Sequence, residues 1–600
     1  MGVLVFAPLI ATAQSLANED VLANQPEIAS THSVKTANGK PSKPDVIAQR
    51  FAVASANPLA TQAGFDVLDA GGSAMDAAIA VQLVLGLVEP QSSGIGGGAL
   101  ILHSHDQHVV ALDGRETAPA LVQEDLFLDD QGKPLAFYDA VVGGRSVGTP
   151  GTLRVLALAH QRFGKLPWAR LFEPAIGLAR QGFAISPRLF AQLKADPFLR
   201  QDPQALAYFY EPNGKPHSIG FVLKNPAYAQ VLQRVAKEGV DAFYSGAIAQ
   251  AVVDKVQRHS SNPGQLQLSD LRNYQVKTRE AMCFDYAAAQ RMLRVCGFPP
   301  PSSGLIAMGQ ILGMLSYVQN SQATWVNGLP SAAWLHSYFE ASRLAFADRA
   351  QYLGDPDFVP APAGNWASLL QPEYLQQRAQ RIGKQRMNIA PAGTPQGASN
   401  LSFSPSPEQQ EHGTSHISVV DAQGNAVAMT TTVESSFGSR QMVQGFMLNN
   451  ELTDFSFVPR DAAGKPVANR VQPNKRPRSS MSPTLVFDKA TGELLMSLGS
   501  PGGALIIPFT TKTFYGVWQW GLTPQQAIDL PNFVSTGGAL WLEANAFPAD
   551  TLNALRQAGH ELSEQELTSG LQAIVRTQIN GQNVWMGGAD SRREGVVMGR

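Results

Sequence analysis

Residues 413–434 read GTSHISVVDAQGNAVAMTTTVE, and this stretch constrains the fold more than any other. Two β-rich runs, SHISVVD and NAVAMTTTV, flank DAQGN, whose Asp, Gly and Asn are turn formers. Joined by so short a turn, the runs read as an antiparallel hairpin centred on Gln423. Val420 then faces Ala426, Ser418 faces Ala428, His416 faces Thr430 and Thr414 faces Thr432. Opposed Cβ atoms lie about 5 Å apart, so the two threonine hydroxyls come within hydrogen-bonding reach. Glu434, two residues beyond Thr432, is expected on the same face.

A threonine hydroxyl is a weak nucleophile without a base, and the sequence offers no dedicated His/Asp pair in a recognisable motif. Cleavage of the Gly413–Thr414 bond would change that. Thr414 would gain an α-amino group with a pKa of roughly 7.7–8.0, suited to accept a proton near neutral pH. The other reading is that these threonines are ordinary β-branched strand residues. A second signal is LLMSLGSPGG, Leu494 to Gly503, where a strand runs into Ser-Pro-Gly-Gly. Gly502 and Gly503 at a strand end can present bare backbone N–H groups, as an oxyanion hole needs; a plain turn is the alternative.

Ahead of the hairpin, residues 384–413 are rich in Pro, Ser, Gly and Gln and read as a linker. Further upstream, Asn57 and Ser73 are expected to cap two helices. The stretches HQRFGKLPWARLFEPAIGLARQGF and SAAWLHSYFEASRLAFADRAQYL read as amphipathic helices. Gly94, Gly96 and Ala99 fit a dinucleotide fingerprint by spacing alone. They precede a strand where that motif must follow one, which excludes the site. The coarse pattern is mixed α and β, helical first and strand-rich after the linker, with strands expected at 416–420, 426–433, 483–488 and 493–499.

The 600 residues allow up to four domains at roughly 150 residues each. A formal net charge of −2 gives no basic footprint for nucleic acid. Val3 to Ile10 is apolar but too short to span a bilayer, and Ala11-Thr12-Ala13 follows it as a cleavage-like pattern. Residues 1–13 therefore read as a secretory signal peptide, which implies a periplasmic or secreted protein, and no later stretch reads as a membrane span. Cys283 and Cys296 flank what reads as two strands around a short turn, so they either form a disulfide or remain buried thiols. Two cysteines without nearby histidines cannot complete a zinc shell, and no metal is expected.

Taken together, TSHISVVDAQGNAVAMTTTVESSFGS, GFMLNNELTDFS, PNKRPRSSMSPT and GSPGG resemble the γ-glutamyltransferases, a family of N-terminal nucleophile hydrolases. GGGALILHS, DGRETAP, GFPPPSSG and GGADSRREG support the resemblance, which runs from about Asn57 to the C-terminus. It implies a four-layer αββα sandwich formed by both halves of a self-cleaved precursor, with a large subunit of residues 14–413 and a small subunit of residues 414–600 that stay associated. It also implies roles for particular residues. Cleavage falls between Gly413 and Thr414, and Thr414 is then the nucleophile, assisted by Thr432. Gly502 and Gly503 form the oxyanion hole. Arg115, Ser479 and Ser480 hold the substrate α-carboxylate, and Glu451 and Asp454 accept from its α-ammonium. The substrates implied are a γ-glutamyl donor, such as glutathione, and water or an amino acid as acceptor, with no cofactor.

Two features depart from the family pattern. Glu434 stands where well-known members have Asn, which adds an acid at the ammonium end. The segment SFVPRDAAGKPVANRVQPNKRP is short for a lid and lacks an aromatic gate after Phe457. The rival readings are a glutaryl-type β-lactam side-chain acylase, which has no ammonium to bind, and a non-catalytic exported binding protein.

Overall fold

Two seven-stranded antiparallel sheets pack face to face in the computed structural model, which describes residues 34–35, 41–318, 324–398, 403–407 and 413–600. The hairpin sits at the centre of one sheet. Ser415–Val420 pairs with Ala426–Thr432 in the expected register, with His416 opposite Thr430 and Ser418 opposite Ala428. Its strands are flanked by Ala52–Ser55 on one side and Gly98–His105 on the other.

Alternation along these strands divides their side chains between two cores. Ile417, Val419, Val427 and Met429 pack with Val53, Ile101 and the helix Ala74–Val88 on one side. Val420, Ala426 and Ala428 point the other way, against Leu485, Leu494 and Ile574 of the second sheet. Beyond that sheet, Met496, Leu498 and Val575 pack on the helices Gly304–Tyr317 and Ile506–Trp518. The order helix, sheet, sheet, helix is the four-layer sandwich of the N-terminal nucleophile hydrolases.

Asn57 and Ser73 cap their helices as expected, each side chain accepting a backbone N–H of the first turn. Cys283 and Cys296 are cross-strand partners joined by a disulfide. No helix among the described residues is long and apolar enough to cross a membrane. The expected signal peptide, 1–13, lies outside the described residues, as do 408–412 of the linker. The rest of the linker that is described holds no helix and no named strand.

Three expectations need correction. The stretch from His160 is not one helix. Thr152–Phe163 stops at Gly164, Pro167 precedes a 3-10 turn, and Glu173–Gln181 restarts. Gly and Pro within four residues end a helix that periodicity alone carries through. The helix Ala332–Tyr352 is continuous but buried nearly all round, because the second sheet's outer layer and the elements after Ala504 cover both of its faces. The strands are also not confined to the second half. Each sheet interleaves strands from before and after Gly413, among them Gly98–His105 in one and Met292–Gly297 in the other.

The two sheets come close together where the His416 ring lies over Gly499, the last residue of the strand Leu494–Gly499. A Cβ on Gly499 would stand 2.2 Å from the imidazole. Gly499→Ala is expected to destabilise the protein by about 1–3 kcal/mol through overpacking, read as a lower urea midpoint. His416→Ala should recover part of that loss in the double variant, because the two changes share one contact.

Candidate active site

Thr414 lies one residue ahead of the strand Ser415–Val420, and Ser500–Gly503 follow directly on Leu494–Gly499. Because those strands face each other, the Gly502 N–H reaches the Gly413 carbonyl and donates to it at 3.2 Å. The Thr414 hydroxyl donates to Thr432 Oγ1 at 3.2 Å, as the hairpin register requires. Thr432 Oγ1 also accepts the Glu434 N–H at 2.8 Å.

The backbone at this point admits few sequences. Gly413 has φ +79°, and a Cβ there would fall 1.6 Å from the Glu434 carbonyl oxygen, so only glycine fits ahead of the threonine. Thr414 itself has φ +90°. For a β-branched residue that is an outlier costing on the order of 1–3 kcal/mol, and such outliers cluster at functional sites. Gly502 and Gly503 also have positive φ, +131° and +56°.

A cavity with room for about one water, about 10 Å³, opens beside Thr414. It brings together nine of the residues expected from sequence: Arg115, Thr414, Thr432, Glu434, Glu451, Asp454, Ser479, Ser480 and Gly503. Gly502 is not part of its wall; its N–H is occupied by Gly413. No residue of 456–478 lines it, in keeping with the short lid segment. Met481 and Ile506 complete the wall and carried no chemical signal in the sequence.

Among the described residues Arg115 is the only cation lining the cavity, and it is fully buried. Its Nη1 donates to Glu451, and its Nη2 donates to Asp454 and to the Arg478 carbonyl at 2.9 Å. The residues assigned to the two ends of a zwitterion are thus paired with each other. Glu434 reaches the cavity differently from the expectation. The strand ends at Thr432, and Glu434 turns in from a left-handed position at φ +75°, where Asn450 Nδ2 donates to it. Asn450 also accepts the Ser435 N–H at 2.9 Å, a role within NNELTDFS that residue type alone did not reveal.

His416, two residues after Thr414, does not line the cavity. Its ring bonds Thr430 Oγ1 at 2.8 Å and Ser418 Oγ at 3.0 Å, and burial lowers its pKa to about 3, so it is a neutral spacer between the sheets. Glu116, next to Arg115 and fully buried, was also missed. Burial pushes its carboxyl up to about 8 against the pull of Arg115. Burial likewise raises Glu451, opposed by Arg115 and reinforced by Glu116 and Glu434. Among the described residues, no group of three or more His, Cys, Asp or Glu is placed to hold a metal ion.

The four-layer αββα sandwich, with its antiparallel sheets face to face, is the fold of the N-terminal nucleophile hydrolases. The model of the gamma-glutamyltranspeptidase family matches residues 60–600, and the chain belongs to that family. It is 36% identical over 563 residues to the glutathione hydrolase proenzyme of Bacillus subtilis (strain 168), covering 91% of each protein. It is 32% identical over 559 residues to the acylase ACY 1 proenzyme of Pseudomonas sp. (strain V22), covering 91% of this chain and 93% of that protein. Among solved structures, the cephalosporin acylase from Bacillus halodurans superimposes with a TM-score of 0.79 at 26% identity, covering 95% of this chain and 99% of that one.

The raised carboxyl of Glu116 makes a pH prediction. Between the ordinary carboxylate range and about 8, the unfolded chain ionises this group while the folded protein keeps it protonated. Its contribution to stability therefore falls as pH rises through that window. Glu116→Gln removes the titration and keeps the shape. Relative to wild type, the variant should gain stability between pH 5 and pH 8 in urea unfolding; an equal pH slope in both proteins would contradict the assignment.

Proposed function

We propose that this chain is a self-processing γ-glutamyltransferase and glutathione hydrolase with Thr414 as its nucleophile. The observation that carries the reading is the Gly413 carbonyl held on the Gly502 N–H beside the Thr414 hydroxyl. In the precursor, Thr414 Oγ1 attacks the Gly413 carbonyl carbon, the Gly502 amide stabilises the oxyanion, and Thr432 Oγ1 accepts a hydrogen bond from the attacking hydroxyl. The C–N bond breaks, an ester forms, and water hydrolyses it to a free Gly413 carboxylate and a free Thr414 amine. Because φ of Thr414 is defined through the Gly413 carbonyl carbon, cleavage also releases the strain at that dihedral.

The freed amine then serves as the base for the same hydroxyl. Departure of the Gly413 carbonyl vacates the Gly502 N–H for the oxyanion of a γ-glutamyl amide, with Gly503 beside it. Thr414 takes the γ-acyl group, the amine leaves with a proton, and water or an amino acid resolves the ester. Arg115, Ser479 and Ser480 receive the α-carboxylate, and Glu451, Asp454 and Glu434 receive the α-ammonium. The apolar stretch Val3 to Ile10 ahead of Ala11-Thr12-Ala13 supports export to the periplasm or beyond.

Purified protein should run as two associated chains, 14–413 and 414–600, and sequencing of the smaller should begin Thr-Ser-His-Ile-Ser. Thr414→Ala should remain one inactive chain. A cut Thr414→Ala protein would assign the cleavage to an outside protease, and an uncut wild type would favour a binding protein.

The acylase relatives keep a second reading in play, an amidase for glutaryl-type side chains. Glu434 separates the two. Glu434→Gln should lower kcat/KM for a γ-glutamyl anilide by roughly tenfold or more, the loss of about one charge-assisted hydrogen bond. It should leave a glutaryl anilide, which has no ammonium, unchanged or improved. A donor ratio that does not move toward the glutaryl compound would remove Glu434 from the ammonium site.

A further inference from the structure

The C-terminal motif GGADSRREG, residues 587–595, has no part in the chemistry above, yet the fold ties it to the Gly502 turn. In the second sheet the strands Leu494–Gly499, Gln572–Ile579 and Gln582–Ala589 are neighbours. Gly499 pairs with Gln572, and Gln572 with Ala589. The segments flanking these three strand ends, 500–501, 569–571 and 590–592, continue alongside one another. The Gly570 N–H donates to Ser500 Oγ at 3.4 Å, and Ser500 Oγ donates to the Pro501 carbonyl at 2.7 Å. A Cβ on Gly570 would stand 2.5 Å from Pro501 Cγ, so the middle segment lies directly against the residue that precedes Gly502.

Asp590 holds that middle segment from the far side. One carboxylate oxygen accepts the Ser569 hydroxyl and also the Leu571 N–H at 3.2 Å, so it grips both neighbours of Gly570. The other oxygen accepts from Arg592, through its backbone N–H at 2.9 Å and Nη1 at 3.2 Å. Burial opposes ionisation, but Arg592 and the Ser569 hydroxyl lower the Asp590 carboxyl to about 2, so at neutral pH it only accepts hydrogen bonds. Arg592 is fixed in turn by Glu543, through Nε at 2.9 Å and Nη2 at 2.8 Å. Asn532 Nδ2 donates to Ser569 Oγ at 2.9 Å. Ser500, Asn532, Ser569 and Asp590 are all fully buried, where water does not compete for these bonds.

Resting on the reading of the Gly502 amide as the oxyanion donor, we propose that Asp590 and Ser569 are positioning residues: they seat Gly570 against Ser500 and Pro501 and so hold the Gly502 N–H on its target. That target is the Gly413 carbonyl in the precursor and the γ-carbonyl of the donor in the processed enzyme, so one support serves both reactions. Neither Asp590, Ser569 nor Gly570 lines the cavity, and donor affinity is set by other residues. Acylation and deacylation pass through the same oxyanion, so loss of the support lowers kcat and leaves KM nearly unchanged. A displacement of about 1 Å at a reacting group costs on the order of 100-fold in rate.

The test uses the full chain and follows the rate at which the precursor becomes two chains, then kcat and KM of the processed form on γ-glutamyl-4-nitroanilide. Gly570→Ala should slow self-cleavage and lower kcat by roughly tenfold or more, with KM changed less than about threefold. Adding Pro501→Ala removes the ring that the new methyl meets and should recover part of both losses, because the two changes share one contact. Ser569→Ala adds no bulk and removes only the hydroxyl held by Asp590; it should show the same pattern, with losses of roughly threefold or more, and carries the comparison if Gly570→Ala fails to fold. Wild-type values of both rates in these variants, or a loss confined to KM or to the urea midpoint, would overturn the positioning role and leave the Thr414 reading standing. A wild type that stays uncut and inactive would overturn that reading and the positioning role with it.

Discussion

The contact between the strands Ser415–Val420 and Leu494–Gly499 positions everything else in this site. It is polar where most of the inter-sheet core is apolar. Ser497 Oγ donates to Ser418 Oγ at 3.0 Å and to the Val427 carbonyl at 3.2 Å, and Ser418 is bonded in turn to His416. Hydrogen bonds are directional where apolar packing is not, so this chain fixes the slide of one sheet over the other. Thr414 stands at the end of one strand and Gly502 just past the end of the other. A small shift in the stacking would move the Gly413 carbonyl off the Gly502 amide. The histidine in Thr-Ser-His thus acts through position, with its ring pressed on Gly499, and not as a base.

The hairpin and its cross-strand pairs were legible because period-two alternation and turn chemistry are local signals. They located the Thr414–Thr432 contact without any long-range information. Reasoning along the strand failed at Glu434, where the chain leaves the sheet at positive φ and returns the carboxylate to the cavity by a turn. Periodicity likewise ran through Gly164 and Pro167, and it read Ala332–Tyr352 as amphipathic although the helix is buried nearly all round. Arg115 lies far in the chain from Glu451, Asp454 and the two serines, which themselves fall in two separate motifs, and only the family resemblance brought them together. Glu116 and Asn450 sat inside quoted motifs and were passed over, because their role depends on what surrounds them in three dimensions.

The interleaving of both halves in both sheets explains how a cut chain can hold together. Ala426–Thr432 pairs along its length with Gly98–His105, and Thr484–Asp488 pairs with Met292–Gly297. Separating residues before and after Gly413 would break ladders in the middle of each sheet and expose both faces of the sandwich. A single cut in a segment without named secondary structure leaves those ladders intact, so loss of one covalent bond costs the fold little.

The charge balance of the cavity decides what it can hold. Arg115 is one cation facing Glu451, Asp454 and Glu434, with Glu116 buried alongside. Like charges so close disfavour full ionisation in a buried site: burial raises Glu451 against the pull of Arg115, and burial pushes Glu116 up to about 8. On the γ-glutamyl reading proposed above, a substrate ammonium would supply positive charge to these acids directly. A bound α-carboxylate has the harder task, because it must share Arg115 with two acids already bonded to it. On that proposed reading the two ends of a zwitterion would solve this together: the ammonium would draw Glu451 and Asp454 toward itself, and the guanidinium they release would turn to the carboxylate. A glutaryl group would bring only the second half of that exchange and would meet the full cost of opening the Arg115 pairs with Glu451 and Asp454.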